Sequence, residues 1–354
     1  MKIIFAGGGT GGHVIPALAI AEVLRDGGHE VAFVGSARGM ETRLVPKAGF
    51  PLFLVRIGAI NRVSLATRLR TLAGLPWSVF TALLILRRFQ AQVVIGVGGY
   101  AAAPATMAAV LSRIPVLLFE PNVVPGYANR AVARFAANAA VHFEQTGRCF
   151  RRFEVTGVPV RPAFFSLPAR RSRNPSLLVF GGSQGAHTLN RIVRDSAAKL
   201  LARFPDLNIV HQTGNREFFD FCAYYKKKQI QVEARSYIDD MPQSFADADL
   251  IVCRAGASTV AEIAAAGKCA LFVPFPGAAD DHQLRNAELL EQAGAALLIP
   301  ESELTAQRFV TEVAALFDAP SQMAAMGARA RTMAHPDAAA HIAEMALSLA
   351  GKSL

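Results

Sequence analysis

At 354 residues, with 52% hydrophobic and 18% charged side chains, the chain can fill two ordinary cores and is excluded from the disordered class. Four scattered cysteines, Cys149, Cys222, Cys253 and Cys269, form no C-x-x-C, which argues against a disulfide framework or a thiolate metal site and fits a reducing cytoplasm. The net charge of +10 belongs to the first half: residues 1–170 hold 19 Lys+Arg against 7 Asp+Glu, and residues 171–354 hold 18 against 20. Such asymmetry suits an anionic membrane surface or a phosphorylated substrate, the alternative being a basic solvated face. Nucleic acid is disfavoured, because no binding module is present and the arginines have little aromatic interleaving.

Met1 runs directly into an apolar strand pattern. Read instead as a signal segment, it lacks a cleavable small-residue end and is interrupted by five glycines, so export is not expected. The first strand and turn, KIIFAGGGTGGHVIPALAIA from Lys2, place glycines between a strand and a helix. Unpaired N–H groups and the positive helix end then face one point, which suits a phosphate. Gly7, Gly9 and Gly12 satisfy G-x-G-x-x-G, a common pattern when taken alone. A nicotinamide cofactor would want an acidic residue after the second strand, whereas VAFVG ends at Gly35 and Ser36. A phosphorylated cofactor held by Ser36 and Arg38 stays open, so an oxidoreductase is the alternative enzyme class. His13 stands where the helix should begin; a positive helix end keeps imidazole neutral, able to accept a proton, the alternative being a hydrogen bond to backbone.

Residues 71–86, TLAGLPWSVFTALLIL, lie between Arg68 and Arg70 on one side and Arg87 and Arg88 on the other. At 16 residues with Pro76 inside, the block is too short to span a bilayer, which needs about 20 apolar residues. It is either core or a partly exposed helix whose Leu75, Trp77, Phe80 and Leu84 seat the first half on acidic headgroups.

Apolar strand-like runs fall at residues 2–6, 31–34, 92–97, 115–119 and 139–143, then at 176–180, 207–211, 249–253 and 269–273; helix-like segments fall at 14–26, 103–112, 187–203 and 259–266. Near-continuous hydrophobic strands alternating with helices predict α/β domains with doubly wound parallel sheets. Residues 155–176 carry four prolines and read as a linker. Two domains follow, residues 1–160 and 176–335, joined by residues 161–175, with an alanine-rich helix at 336–354 packing back toward the first. Ligands are expected at the carboxyl ends of the strands, in a groove between the domains.

The second half opens with its own glycine turn, SLLVFGGSQGAHTLNRIV from Ser176. One dinucleotide needs only one such turn, and neither turn continues into Gly-Lys-Ser/Thr, which argues against a P-loop NTPase. Asp247 and Asp249 form D-x-D but precede a strand, at the wrong end of a sheet for a metal ligand. After LIVC, RAGASTVAEIAAAG opens a helix at Ser258 or Thr259; there Thr259 and Glu262 form either a capping box or, with the carboxylate turned outward, a holder for a ribose diol. Asp280, Asp281, His282, Gln283 and Asn286 crowd a polar loop entering a helix, as site-lining loops do.

Taken in order, GGGTGGH, VGGYAAAP, FEPN, GVPVRP, GGSQGA, YIDDM, CRAGASTVAEIAAAG and AADDHQLRNA resemble the MurG family over essentially the full chain. The resemblance implies the GT-B fold, two Rossmann-like domains facing across a cleft. It implies an inverting glycosyltransferase of peptidoglycan synthesis, moving N-acetylglucosamine from UDP-N-acetylglucosamine to undecaprenyl-pyrophosphoryl-MurNAc-pentapeptide, peripheral at the cytoplasmic face of the bacterial membrane, with no cofactor and no metal. By the same resemblance, Thr10, Gly11 and Gly12 lie at the donor sugar and diphosphate and His13 is the base. Asn122 meets the N-acetylglucosamine, and Arg161 and Ser183 meet the phosphates. Ile238 offers its backbone to uracil, Ala257, Ser258, Thr259, Val260, Ala261 and Glu262 wrap diphosphate and ribose, and Gln283 reaches sugar hydroxyls. Tyr100 and Glu120 fall on the acceptor side. Pro121 replaces a glutamine and Val158 an asparagine frequent in the family, so one side-chain hydrogen bond is lost near Asn122 and one near Arg161.

Overall fold

The computed structural model describes residues 1–37, 39–58, 64–182 and 185–351. It divides into two compact units, Met1–Val160 with the C-terminal segment from Asp337, and Arg161–Pro336.

Seven strands build the first unit: β1 (Lys2–Gly7), β2 (Glu30–Gly35), β3 (Leu52–Leu54), β4 (Val93–Gly98), β5 (Val116–Glu120), β6 (Asn138–Val141) and β7 (Glu154–Val155). All pair in parallel in the order β3-β2-β1-β4-β5-β6-β7. Helices α1 (Gly11–Asp26), α2 (Glu41–Lys47), α3 (Leu65–Phe89), α4 (Ala102–Leu111), α5 (Tyr127–Val132) and α6 (Glu144–Gly147) connect them. Alternate strand residues Ile4, Ala6, Val34, Val94 and Leu118 share a buried cluster with Ala105, Ala108 and Ala109 of α4 and Ala82 and Leu86 of α3. Alanines at the contact face let α4 lie close to both α3 and the sheet, the arrangement a short βαβ crossover requires.

The second unit has six parallel strands, β8 (Ser176–Phe180), β9 (Asn208–Gln212), β10 (Glu233–Arg235), β11 (Leu250–Cys253), β12 (Cys269–Phe272) and β13 (Leu297–Leu298), ordered β10-β9-β8-β11-β12-β13. Its helices are α7 (His187–Arg203), α8 (Phe218–Lys228), α9 (Met241–Asp247), α10 (Ala257–Ala266), α11 (His282–Gln292), α12 (Ala306–Asp318) and α13 (Pro320–Thr332). Leu177, Val179 and Ile209 pack with Leu189 and Val193 of α7 and Phe309 and Val313 of α12. The last helix, α14 (Ala338–Ala350), packs on α1 and β4 in the first unit.

The doubly wound parallel class read from the sequence is the class found, once in each unit. Four strands were not foreseen: β3, β7, β10 and β13. Each is only two or three residues long, and β10 reads Glu-Ala-Arg, so neither length nor hydrophobicity marks it. In both sheets the chain winds outward from a first strand and then crosses to its other side. The switch points lie between β1 and β4 and between β8 and β11, where ligands of such sheets bind outside the carboxyl ends.

The block at residues 71–86 lies within α3. One face is core, with Ser78, Ala82 and Leu86 buried. Trp77, Phe80 and Leu84 on the other face are 66%, 48% and 49% exposed, and Leu75 is half-buried. The helix is therefore core on one side and exposed on the other. No described helix is long and apolar enough to cross a membrane.

Candidate functional site

At the β1/β4 switch point two glycine turns meet backbone to backbone. Gly8 N–H donates to Gly98 O at 3.2 Å. A Cβ on Gly99, which sits at φ +78°, would lie 2.2 Å from Gly8 O, so VGGY carries glycine because the first turn leaves no room for a side chain. Helix α1 starts at Gly11 behind Thr10. The Thr10 hydroxyl lies 3.1 Å from His13 Nδ1, and the imidazole edge lies over Gly98, whose added Cβ would fall 3.1 Å from His13 Nε2. Tyr100 stands exposed at the end of the second turn.

One N–H of this cradle is already in use. Glu41, 1% exposed, accepts from Gly9 N–H at 2.7 Å and from the Ser36 N–H and hydroxyl at 2.9 Å. Nothing in the sequence marks Glu41, which opens α2 and meets the turn only in three dimensions. The Ser36 hydroxyl, weighed above as a cofactor-phosphate holder, is committed to that carboxylate; Arg38 lies outside the described residues.

At the end of β5, Glu120 is buried and its carboxylate gathers four donors. Asn122 N–H and Nδ2 reach Oε1 at 3.1 and 3.2 Å, while Gly126 N–H and Asn129 Nδ2 reach Oε2 at 2.9 and 3.0 Å. Burial still raises its pKa, the four hydrogen bonds pulling the other way. Glu120 thus shapes the turn that presents Asn122. Asn129, the other anchor, has no sequence signature.

In the second unit the β8/β11 switch point lies between the turn after β8 and the amino end of α10. Gly182 in the first of these sits at φ +92°; Ser183 lies outside the described residues. Helix α10 begins at Ala257 behind Gly256, with no side-chain cap. The start at Ser258 or Thr259 and the Thr259–Glu262 capping box are corrected by this. Gly256 holds the extended cap position, so Thr259 is inside the helix and its hydroxyl is not placed to cap it. Glu262 is half-buried and accepts no hydrogen bond among the described residues. Burial raises its pKa to about 7, opposed by the Arg161 guanidinium, which itself packs 5.1 Å above the Phe164 ring. Ser258 Oγ is enclosed with no partner among the described residues. Ala257, Val260 and Ala261 are buried and Thr259 half-buried, so α10 offers a ligand its N–H groups, one hydroxyl and one carboxylate.

Around this helix end, Ile238 is buried and its N–H donates to Gln212 Oε1 at 3.1 Å, leaving the carbonyl as its outward group. Gln283, in the first turn of α11, accepts Phe275 N–H at 3.0 Å through Oε1, which directs its amide NH2 away from that loop. Asn286 is a structural anchor, its Nδ2 3.2 Å from Ala255 O. The D-x-D carboxylates hold the linker: Asp249 takes both Arg170 guanidinium nitrogens at 2.5 and 2.7 Å, and Asp247 takes Arg171 N–H at 2.7 Å. A groove of about 1090 Å³ runs along the face of Leu178, Val210 and Ala234 and includes none of the described residues expected at the donor.

Two parallel-sheet domains on one chain, each with a glycine turn and a helix start at its switch point, match a defined domain pair. Residues 3–141 match the glycosyltransferase family 28 N-terminal domain, and residues 176–342 match its C-terminal domain. Over 347 residues the chain is 45% identical to the UDP-N-acetylglucosamine–N-acetylmuramyl-(pentapeptide) pyrophosphoryl-undecaprenol N-acetylglucosamine transferase of Solibacter usitatus, covering 97% of the chain and 95% of the relative. The chain belongs to the MurG family. A relative of the same name from Syntrophus aciditrophicus is 40% identical, with 99% of each covered. The crystal structure of Acinetobacter baumannii MurG superposes with a TM-score of 0.81 at 32% identity, covering 98% of this chain and 99% of that one. The fold is therefore the GT-B arrangement of two parallel-sheet α/β domains, and the family is one of glycosyltransferases.

Proposed function

We propose that the chain transfers N-acetylglucosamine from UDP-N-acetylglucosamine to undecaprenyl-pyrophosphoryl-MurNAc-pentapeptide, with inversion at the anomeric carbon, working peripherally on the cytoplasmic face of the membrane. The acceptor hydroxyl oxygen bonds to the anomeric carbon as the bond to the UDP oxygen breaks. His13 takes the hydroxyl proton: in the tautomer that gives Nδ1–H to the Thr10 hydroxyl, 3.1 Å away, Nε2 carries the lone pair. The charge growing on UDP is met by the amino end of α10, by Ser258 and by Arg161, with Ser183 as a further phosphate ligand. Glu262 accepts from the ribose hydroxyls, the Ile238 carbonyl accepts from uracil N3–H, and Gln283, Asn122 and the turn of Thr10, Gly11 and Gly12 hold the sugar. Tyr100 serves the acceptor, and Glu120, buried and committed to Asn122, Gly126 and Asn129, acts by holding Asn122 at the sugar rather than by meeting the acceptor itself.

Glu262 carries this reading. A carboxylate in the second turn of α10, on a side chain that leans back toward the helix's amino end, with no hydrogen bond among the described residues and a guanidinium nearby, suits a ligand bearing both hydroxyl donors and anionic oxygens, which a nucleoside diphosphate supplies. The test is release of UDP from UDP-N-acetylglucosamine by the purified chain with the lipid-linked acceptor. Release that needs acceptor supports transfer; donor binding without release under any acceptor would make the chain a sensor. An assay offering diacylglycerol beside the pyrophosphoryl lipid separates the acceptor classes. The exposed face of α3, flanked by Arg87 and Arg88, is the proposed seat on anionic lipid.

A further inference from the structure

Three consecutive residues at and just beyond the end of β9, His211, Gln212 and Thr213, are polar and no more than 1% exposed, an arrangement that is costly unless every group is paired. His211 lies between the Tyr225 hydroxyl at 3.0 Å and Asn190 Oδ1 at 3.1 Å, and burial lowers its pKa to about 4, so it stays neutral. Thr213 donates its N–H to Arg235 O at 2.9 Å, and its carbonyl accepts Asn190 Nδ2 at 2.8 Å. His211 and the Thr213 backbone thus pair with strand and helix groups, whereas the partners of Gln212 belong to two different loops. Its Nε2 donates to Gly182 O at 2.9 Å in the turn after β8, and its Oε1 accepts Ile238 N–H at 3.1 Å in the turn after β10. A planar amide with one donor end and one acceptor end satisfies a carbonyl and an N–H together, and the two partners fix which way it faces.

We propose that Gln212 is the positioning residue of the donor site, holding Gly182, just after β8, and Ile238, just after β10, in one register so that the two turns answer a nucleoside diphosphate together. The inference rests on the donor placement above, in which the first turn meets phosphate and the second meets the base. Gln212 touches neither end of the ligand. It acts because displacement of either turn breaks that turn's hydrogen bond to the Gln212 amide, and a buried group left unpaired is expensive.

Gln212→Glu keeps an acceptor for Ile238 N–H but sets an oxygen against Gly182 O; Gln212→Met removes both links. Both are expected to raise the donor KM by about tenfold or more, with the acceptor KM within about twofold of the parent. For Gln212→Glu, the ratio of its donor KM to the parent's at the same pH should fall toward unity as pH drops from 8 to 5.5, since a protonated carboxyl again donates to Gly182 O; for Gln212→Met the ratio should stay constant. An unchanged donor KM, equal rises in both KM values, or no recovery of Gln212→Glu at low pH would overturn the proposal. A measurement on the unaltered chain covers the case in which neither variant folds. Uridine alone should slow amide exchange in a peptide spanning residues 181–186 as well as in one spanning 236–240, and slowing in the second only would overturn it. If the unaltered chain binds neither UDP nor uridine, the donor assignment itself fails, an outcome distinct from binding without coupling.

Discussion

His13, Glu262 and Glu41 meet the same demand, a polar group held beside a glycine-lined turn or within the first two turns of a helix, with different consequences. His13→Ala should leave UDP binding within about twofold while lowering turnover by about 100-fold or more, the range of a lost general base; calorimetry with UDP beside a turnover assay checks it, and unchanged turnover removes His13 as base. Glu262 gives a pH signature. Burial pushes its carboxyl up to about 7, and the ionised form is the better acceptor for a diol. Donor binding should therefore strengthen as pH rises from 6 to 8, by about tenfold if only the ionised form binds, with proton release on binding below pH 7. Glu262→Gln should bind more weakly and lose this slope, as calorimetry in buffers of different ionisation heat would report. Glu41→Ala takes a buried carboxylate away from three donors, the Gly9 N–H and the Ser36 N–H and hydroxyl, and chemical denaturation should show a loss of about 3 kcal/mol; a loss under 1 kcal/mol would mean water replaces the carboxylate.

Among elements, α3 makes the most separable claim. Trp77 and Phe80 are exposed, their ring centroids 5.8 Å apart, so replacing both with serine should change stability little, as surface substitutions do. Sedimentation with anionic vesicles should nevertheless show weaker binding, and binding that persists would assign the lipid contact elsewhere. Periodicity shows that residues 71–86 are apolar but not which side meets the sheet; that follows from Ala82 and Leu86 packing with α4. The central strands and glycine turns were legible because a doubly covered sheet needs long apolar runs and the turns need glycine. The edge strands were hidden because a partner on one side and two or three residues leave no pattern. Local spacing misled at Thr259 and Glu262, where S/T-x-x-E resembles a cap but the helix starts earlier, at a glycine. Glu41, Asn129 and Gln212 escaped because each acts on a segment distant in sequence, and no spacing rule reports that.

At the scale of the molecule, the charge asymmetry gains a physical meaning from the two units. The basic half, net +12 over residues 1–170, contains the exposed face of α3, whereas the second half, net −2, contains the helix end assigned to UDP. Vesicle binding should thus need anionic lipid and weaken as salt rises from 50 to 500 mM, because the Debye length shortens from about 14 to about 4 Å; salt-independent binding would point to apolar insertion alone.

The most direct test combines both halves: purified chain, UDP-N-acetylglucosamine labelled in the sugar, and undecaprenyl-pyrophosphoryl-MurNAc-pentapeptide in anionic micelles. The expected result is labelled sugar on the lipid, joined with inverted anomeric configuration, with one UDP released per sugar moved. Label remaining on UDP, or appearing on the lipid with retained configuration, would contradict direct transfer to a hydroxyl deprotonated by His13.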